Sequence, residues 1–207
     1  MEIELKYLFE DEATKNEIFN DKHILKIKDE GSETVTHMRA IYMDTEDGAL
    51  RKKEMAFRVR FEGTRIVATL KWGGSAEEGL HVRGELNVAV EEDFVSAPSP
   101  EVFRGSEIFD DIMEAVGDKK LVTVMEMNYV RKEIRVDTGL SIDVISLDEG
   151  EIITAKGSLP ISELEIELYT GDKDDMVSLG RKLEEKYNLK QGDQSKYQRG
   201  LELLNMA

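Results

Sequence analysis

Apolar and polar residues alternate with a period of two along much of this chain, the spacing that sends successive side chains to opposite faces of a β-strand. At the amino terminus Glu2, Glu4 and Lys6 share one face, and Ile3, Leu5 and Tyr7 share the other. Similar strand-like patterns return over residues 33–43, 56–61, 65–72, 81–90, 121–136, 141–147, 151–155 and 161–169. Glu62, Gly63 and Thr64 form a turn between two of these runs, which predicts a hairpin. Gly73, Gly74 and Ser75 open a flexible loop, and the run from Ala97 to Pro100 breaks the sheet.

Helical spacing is confined to fewer stretches. Residues 11–19 read as a short surface helix and 48–53 as a single helical turn. Val102, Ile108, Phe109, Ile112, Met113 and Val116 recur at helical intervals, as do Met176, Leu179 and Leu183 in 174–187, and a last helix spans 194–204. The sum is eight or nine strands with helices between groups of them and at the end. A mainly parallel sheet would need a helix after each strand, so the expectation is an α+β chain whose antiparallel sheet closes on itself. At 207 residues, with no repeat or linker, one domain suffices.

The charged faces alter this picture. Arg58 and Arg60 share a face opposite Phe57, Val59 and Phe61; Thr69 and Lys71 share one opposite Ala68, Leu70 and Trp72. His81, Arg83 and Glu85 line another, and Arg131, Glu133 and Arg135 a fourth. Glu163, Glu165 and Glu167 alternate with Leu164, Ile166 and Leu168. Solvent-facing strands give such patterns too. Repeated on strand after strand, however, they describe a barrel whose interior holds a charged anion together with metal ions. Three glutamates on one face repel unless hydrated, paired or neutralised, and with Glu2 and Glu4 they offer hard oxygen ligands for Mg²⁺ or Mn²⁺. Arginine forks suit phosphate oxygens.

Composition narrows the partners. With 44 acidic and 28 basic residues the net charge is −16, which argues against a nucleic-acid partner. A polyphosphate ligand then requires the basic residues to converge on an enclosed site, with the acidic excess outside or on metal. There is no cysteine, so thiolate metal sites are excluded. No apolar run nears the ~20 residues of a membrane span, and no signal-peptide core is present, so a soluble, cytoplasmic protein without a membrane partner is expected.

Glu2-x-Glu4-x-Lys6 resembles the amino-terminal motif of the CYTH superfamily, the triphosphate tunnel metalloenzymes. The likeness continues through Tyr42-Met43-Asp44-Thr45, Phe57-Arg58-Val59-Arg60, Thr69-Leu70-Lys71-Trp72, the segments 147–152 and 162–168, and Ser195-Lys196-Tyr197-Gln198-Arg199-Gly200. Residues 79–83 and 163–172 look most like the bacterial inorganic triphosphatases. The resemblance implies a closed eight-stranded antiparallel β-barrel, the triphosphate tunnel, with flanking helices. It implies a triphosphate grip of Lys6, Arg58, Arg60, Lys71, Arg131 and Lys196, joined by Arg83 and Arg135 on matching faces. The implied metal ligands are Glu2, Glu4, Glu163 and Glu165, with Glu85, Asp148 and Glu167 contributing; Asp143 competes with Asp148 for one acidic position. Glu4, Lys6 and Asp148 would be the catalytic groups, Lys6 either orienting phosphate or assisting proton transfer.

The implied activity is metal-dependent hydrolysis of a triphosphate, foremost inorganic triphosphate to pyrophosphate and phosphate. Adenylyl cyclisation of ATP, thiamine triphosphate hydrolysis and non-catalytic polyphosphate or nucleotide binding are the alternatives. The expected partner is a triphosphate-bearing small molecule, and the expected state a monomer or homodimer. Such bacterial relatives often carry a second, helical, His-rich domain, so this chain is either a stand-alone tunnel domain or the tunnel portion of a longer one.

Overall fold

A computed structural model describes residues 1–9 and 12–205. Its strands are β1 (Glu2–Leu8), β2 (Thr34–Thr45), β3 (Met55–Glu62), β4 (Arg65–Glu77), β5 (Leu80–Val90), β6 (Leu121–Asp137), β7 (Ser141–Thr154), β8 (Gly157–Gly171) and the short β9 (Lys190–Gln191). The helices are α1 (Glu12–Phe19), α2 (Ile24–Ile27), α3 (Ala49–Lys52), α4 (Glu92–Ser96), α5 (Phe109–Val116), α6 (Lys173–Tyr187) and α7 (Lys196–Leu204). Residue 11, the expected start of the first helix, lies outside the described residues. Among the described residues no helix is long and apolar enough to cross a membrane.

The sheet runs β5-β4-β3-β2-β6-β7-β8-β1, and β1 also pairs with β5, which closes it into an antiparallel barrel of eight strands. β9 adds to the far end of β1. Closure gives every strand an inner and an outer face. The outer residues of β1, β7 and β8 pack under α1, α2 and α6 around Leu5, Tyr7, Ile145, Leu164 and Ile166. Those of β2 to β5 pack under α3 and α5 around Phe57, Val59, Leu70, Phe103 and Ile112. With apolar side chains committed outward, the period of two turns the intervening charged ones into the barrel.

One end of the barrel is stoppered by α7. Leu201 packs with Met125, Ile152 and Ile161, which share the inward parity of Arg131, Asp148 and Glu163. Gly200 permits the approach: a Cβ there would lie 2.3 Å from Met125 Sδ.

Three expectations change. The loop foreseen at 73–75 is part of β4, because Gly73 (φ 55°) and Gly74 (φ 108°) absorb a bulge between Trp72 and Ser75 without leaving the ladder. Residues 141–155 do not form two strands. β7 runs through Gly150, where a Cβ would stand 2.1 Å from the Asn128 carbonyl oxygen. The helix foreseen over 102–116 is a 3₁₀ turn (Pro100–Phe103) and then α5, parted by Gly105 at φ 88°.

Asp143 and Asp148 sit on opposite faces of β7, an odd number of residues apart. Asp143 is fully buried outside the lumen, beside Ile145 and the start of α6. One of its oxygens accepts a hydrogen bond from Ser141 Oγ at 2.7 Å, and the other has no partner. Burial, reinforced by the nearby Asp175, pushes its carboxyl up to about 6 despite that bond. A raised carboxyl pKa contributes stability that is full below the unfolded value of ~3.9 and is lost as pH rises through the folded value. Urea denaturation of Asp143→Asn should therefore gain on the native protein between about pH 4 and 6, by of order 1–3 kcal/mol, and hold that difference above. Parallel stability curves for the two proteins would contradict the burial of an ionisable group here.

Candidate active site

The barrel encloses a cavity of about 140 Å³. Seven cationic side chains line it: Lys6 from β1, Arg58 and Arg60 from β3, Lys71 from β4, Arg83 from β5, Arg131 from β6 and Lys196 from α7. Glu2, Glu4, Glu85, Glu165 and Glu167 line it as well. Lys196 reaches inward from the first turn of α7, which a capping box holds in place. Ser195 Oγ accepts from the Gln198 amide, and Gln198 Oε1 accepts from the Ser195 amide.

Almost every charge is already matched. Arg131 makes two bonds of 2.7 Å to Asp148 and a third of 2.6 Å to Glu165. Lys196 donates to Glu163 at 2.7 Å and to Glu165 at 2.8 Å, and lies 2.9 Å from Asp148. Lys6 bridges Glu165 at 2.8 Å and Glu4 at 3.2 Å. On the facing wall Lys71 holds Glu2 at 2.8 and 3.0 Å and stands 3.4 Å from Glu85. Arg83 binds Glu2 at 2.5 Å and Glu4 at 3.0 Å. Arg58 donates to Thr69 at 3.2 Å and reaches the Tyr42 hydroxyl at 3.5 Å, while its Nε is buried without a partner.

These pairings govern protonation. Burial works against the charge of Lys6, but Glu165, Glu4 and Glu163 outweigh it and hold the ammonium above its ordinary range. Lys196 and Arg131 are pushed up in the same way, burial being overcome by Asp148 and its neighbours. Glu2 is held far below the carboxylate range because Lys71 and Arg83 overcome its burial. Glu167 is the exception. Burial and then Glu2, Glu4 and Glu85 push it up to about 7.

The expected site residues divide three ways. Glu2, Glu4, Lys6, Arg58, Arg60, Lys71, Arg83, Glu85, Arg131, Glu165, Glu167 and Lys196 line the cavity. Asp148 and Glu163 are fully buried behind it, orienting Arg131 and Lys196 rather than facing the space. Arg135 does not join it: the side chain is 53% exposed and pairs with Asp29. It shares a face with Arg131 but lies four residues further along β6, past the end of the lumen. Arg60 is engaged with Glu62 at the rim. Tyr42, Asn87, Tyr129 and Tyr197 also line the cavity, and reasoning from charge alone passed over them. Tyr42 and Tyr129 carry the inward parity of their strands, so the alternation held that signal. Arg199, which pairs with Glu163, falls three residues after Lys196 on the same helical face.

A hard divalent cation fits this wall. Oxygens of Glu2, Glu85 and Glu167 lie within 4.8 Å of one another. Among the described residues the Glu167 carboxylate makes no hydrogen bond or ion pair, and three carboxylates so close carry charge that a cation would neutralise.

A family model described as CYTH domain matches residues 1–201. The inorganic triphosphatase of Haemophilus influenzae is 29% identical over 159 residues, 77% of this chain and 44% of that protein. The chain thus spans less than half the length of that relative. Among solved structures, a Hippeastrum protein described as a proposed adenylyl cyclase that reveals a dominant triphosphatase activity superposes with a TM-score of 0.70 at 19% identity, covering 95% of this chain and 93% of that one. A Bacillus halodurans protein described as a proposed adenylate cyclase gives 0.65 at 22%, covering 96% of each. The RNA triphosphatase domain of a mimivirus mRNA capping enzyme gives 0.51 at 13%, covering 90% and 89%. At these identities the likeness is one of fold.

The acidic wall makes two opposite predictions for metal-free protein. Glu163→Ala leaves Arg199 without its carboxylate and Lys196 with two of its three, so urea denaturation in EDTA at pH 8 should show a loss of about 3–5 kcal/mol. Glu167→Gln removes an unpaired charge and should gain of order 1 kcal/mol there. Equal losses in both would contradict the division into a paired and an unpaired carboxylate.

Proposed function

Because the chain belongs to the CYTH domain family, we propose that it is a hydrolase dependent on Mg²⁺ or Mn²⁺ that cleaves inorganic triphosphate to pyrophosphate and phosphate. The observation that carries this reading is the convergence of seven cationic side chains and a carboxylate trio on one enclosed space. Its size favours the inorganic substrate. A cavity of about 140 Å³ falls well short of the ~300–1,000 Å³ typical of sites for larger organic ligands. The name of the Haemophilus relative supports the same choice.

In this reading Arg58, Arg131 and Lys196 bind the phosphate chain and align it, exchanging carboxylate partners for phosphoryl oxygens. The unpaired Nε of Arg58 offers a donor that needs no exchange. Glu2, Glu85 and Glu167 hold the metal, with Glu4 and Glu165 beside them. A divalent cation there supplies charge neutralisation and Lewis acidity toward phosphoryl oxygen. Lys6 is locked in its cationic form, so it orients Glu4 and Glu165 rather than removing a proton. Asp148 and Glu163 act through the cations they position.

The oxygen of water bonds to the terminal phosphorus while the bond to the bridging oxygen breaks and pyrophosphate departs with that oxygen. The water's proton leaves on the phosphate products or to solvent. A loose phosphoryl-transfer transition state demands little of a base, and its rate comes from alignment and charge stabilisation.

A second reading uses a neighbouring cleft of about 280 Å³, lined by Met55, Trp72 and Tyr197 and meeting the cavity at Lys71 and Arg83. A nucleoside or thiamine ring there would make the substrate ATP, for cyclisation with release of pyrophosphate, or thiamine triphosphate.

One panel separates these readings: inorganic triphosphate, thiamine triphosphate and ATP, each with Mg²⁺ or Mn²⁺, scored for phosphate, pyrophosphate and cyclic AMP. Inorganic triphosphate should turn over fastest, only with metal, and Ca²⁺ should inhibit. Arg58→Ala and Glu4→Ala should each lower kcat/KM at least about 100-fold while keeping a native circular dichroism spectrum. Cyclic AMP as the main product would overturn the hydrolase reading, and tight binding without turnover would leave a binding module.

A further inference from the structure

The ammonium of Lys71 occupies an unusual position. It sits 2.8 and 3.0 Å from the two oxygens of Glu2 and 3.4 Å from Glu85, two of the three carboxylates whose oxygens cluster within 4.8 Å. The strand register sets this up. Lys71 lies opposite Glu85 across β4 and β5, and Arg83 lies opposite Glu2 across β5 and β1. Lys196 is matched by Asp148, Glu163 and Glu165, none of them in the trio, whereas the counter-charges of Lys71 are two of the trio's three members.

We propose that Lys71 is a built-in stand-in for the divalent cation, filling the Glu2–Glu85 side of the carboxylate trio until metal displaces it toward the phosphate chain. The inference rests on the reading that this wall holds a divalent ion, and it adds that metal and triphosphate sites are coupled through Lys71, with Arg83 released alongside it. A cation entering the trio takes Glu2 and Glu85 from Lys71 and loosens Arg83 from Glu2, which frees two donors for phosphate. An anion that draws off Lys71 and Arg83 leaves Glu2 and Glu85 bare for metal. Thermodynamic linkage makes the two effects equal, so each ligand tightens the other. Glu2 and Glu85 thereby keep a counter-charge when the site is empty, and Glu167 alone of the trio is left without one.

The direction of the effect separates this role from ordinary phosphate binding. Mn²⁺ alone is titrated into chelator-stripped protein, with free Mn²⁺ read by electron paramagnetic resonance. Lys71→Met should bind Mn²⁺ about 5- to 150-fold more tightly than the native chain, the usual span of such coupling. Lys196→Met serves as the control, since Lys196 pairs with Asp148, Glu163 and Glu165 and with no member of the trio; it should show no comparable tightening. In the reciprocal arm, inorganic triphosphate is titrated by calorimetry in EDTA, and Glu2→Gln should bind it at least about fivefold more tightly.

Equal or weaker Mn²⁺ binding by Lys71→Met overturns the proposal, as does equal tightening in Lys196→Met or an unchanged triphosphate affinity in Glu2→Gln. Absence of Mn²⁺ binding in every variant overturns the metal site along with it. Tightening in Lys71→Met beside a native chain that hydrolyses none of the triphosphates leaves the coupling intact and removes the proposed reaction instead.

Discussion

Charge buried inside a closed sheet must find its counter-charge there, and the rest of this molecule follows from that constraint. An ion taken out of water without a partner costs several kcal/mol, so Lys6, Arg131, Lys196, Glu163 and Asp148 are tolerable only as an interlocked set. The set is also poised for exchange. Its members are already stripped of most water, so a phosphate oxygen can replace a carboxylate without a fresh desolvation cost on the protein side. Glu167 stands outside this accounting, and its rise toward neutral pH is the physical sign of a wall with one negative charge left over.

Enclosure gives the charges their reach. The β1–β5 pairing closes the sheet, and α7 fills one end while delivering Lys196. Interactions that water would weaken keep their strength in such a space. The same closure gives a strongly acidic chain a cation-lined interior: the net charge of −16 is a property of the whole chain, whereas the lumen is lined by cations from five strands and a helix.

Which face a residue occupies was written in the period-two pattern, and Glu2, Glu4, Lys6, Arg58, Lys71 and Glu165 all point where that pattern sends them. How far along the barrel each residue lies was not. Arg131 and Arg135 share a face of β6, yet one reaches Asp148 and the other meets Asp29 at the surface. Depth depends on the stagger of neighbouring strands, which no local pattern encodes. For the same reason Glu163, expected on the metal, is buried among cations. Glu167, expected only to contribute, lies with its carboxylate beside those of Glu2 and Glu85. Bulges hide similarly: paired glycines read as a loop at 73–75 because a sequence shows their freedom but not the partner strand that uses it.

The account stands on the acidic and basic walls facing each other across one space and sharing one ligand complex. A crystal structure of the chain with Mn²⁺ and a non-hydrolysable triphosphate analogue tests this most directly, since the anomalous signal locates the metal without ambiguity. The account predicts a manganese peak among Glu2, Glu85 and Glu167, with analogue oxygens on Arg58, Arg131 and Lys196. An analogue bound outside the barrel, or manganese away from that trio, would contradict it.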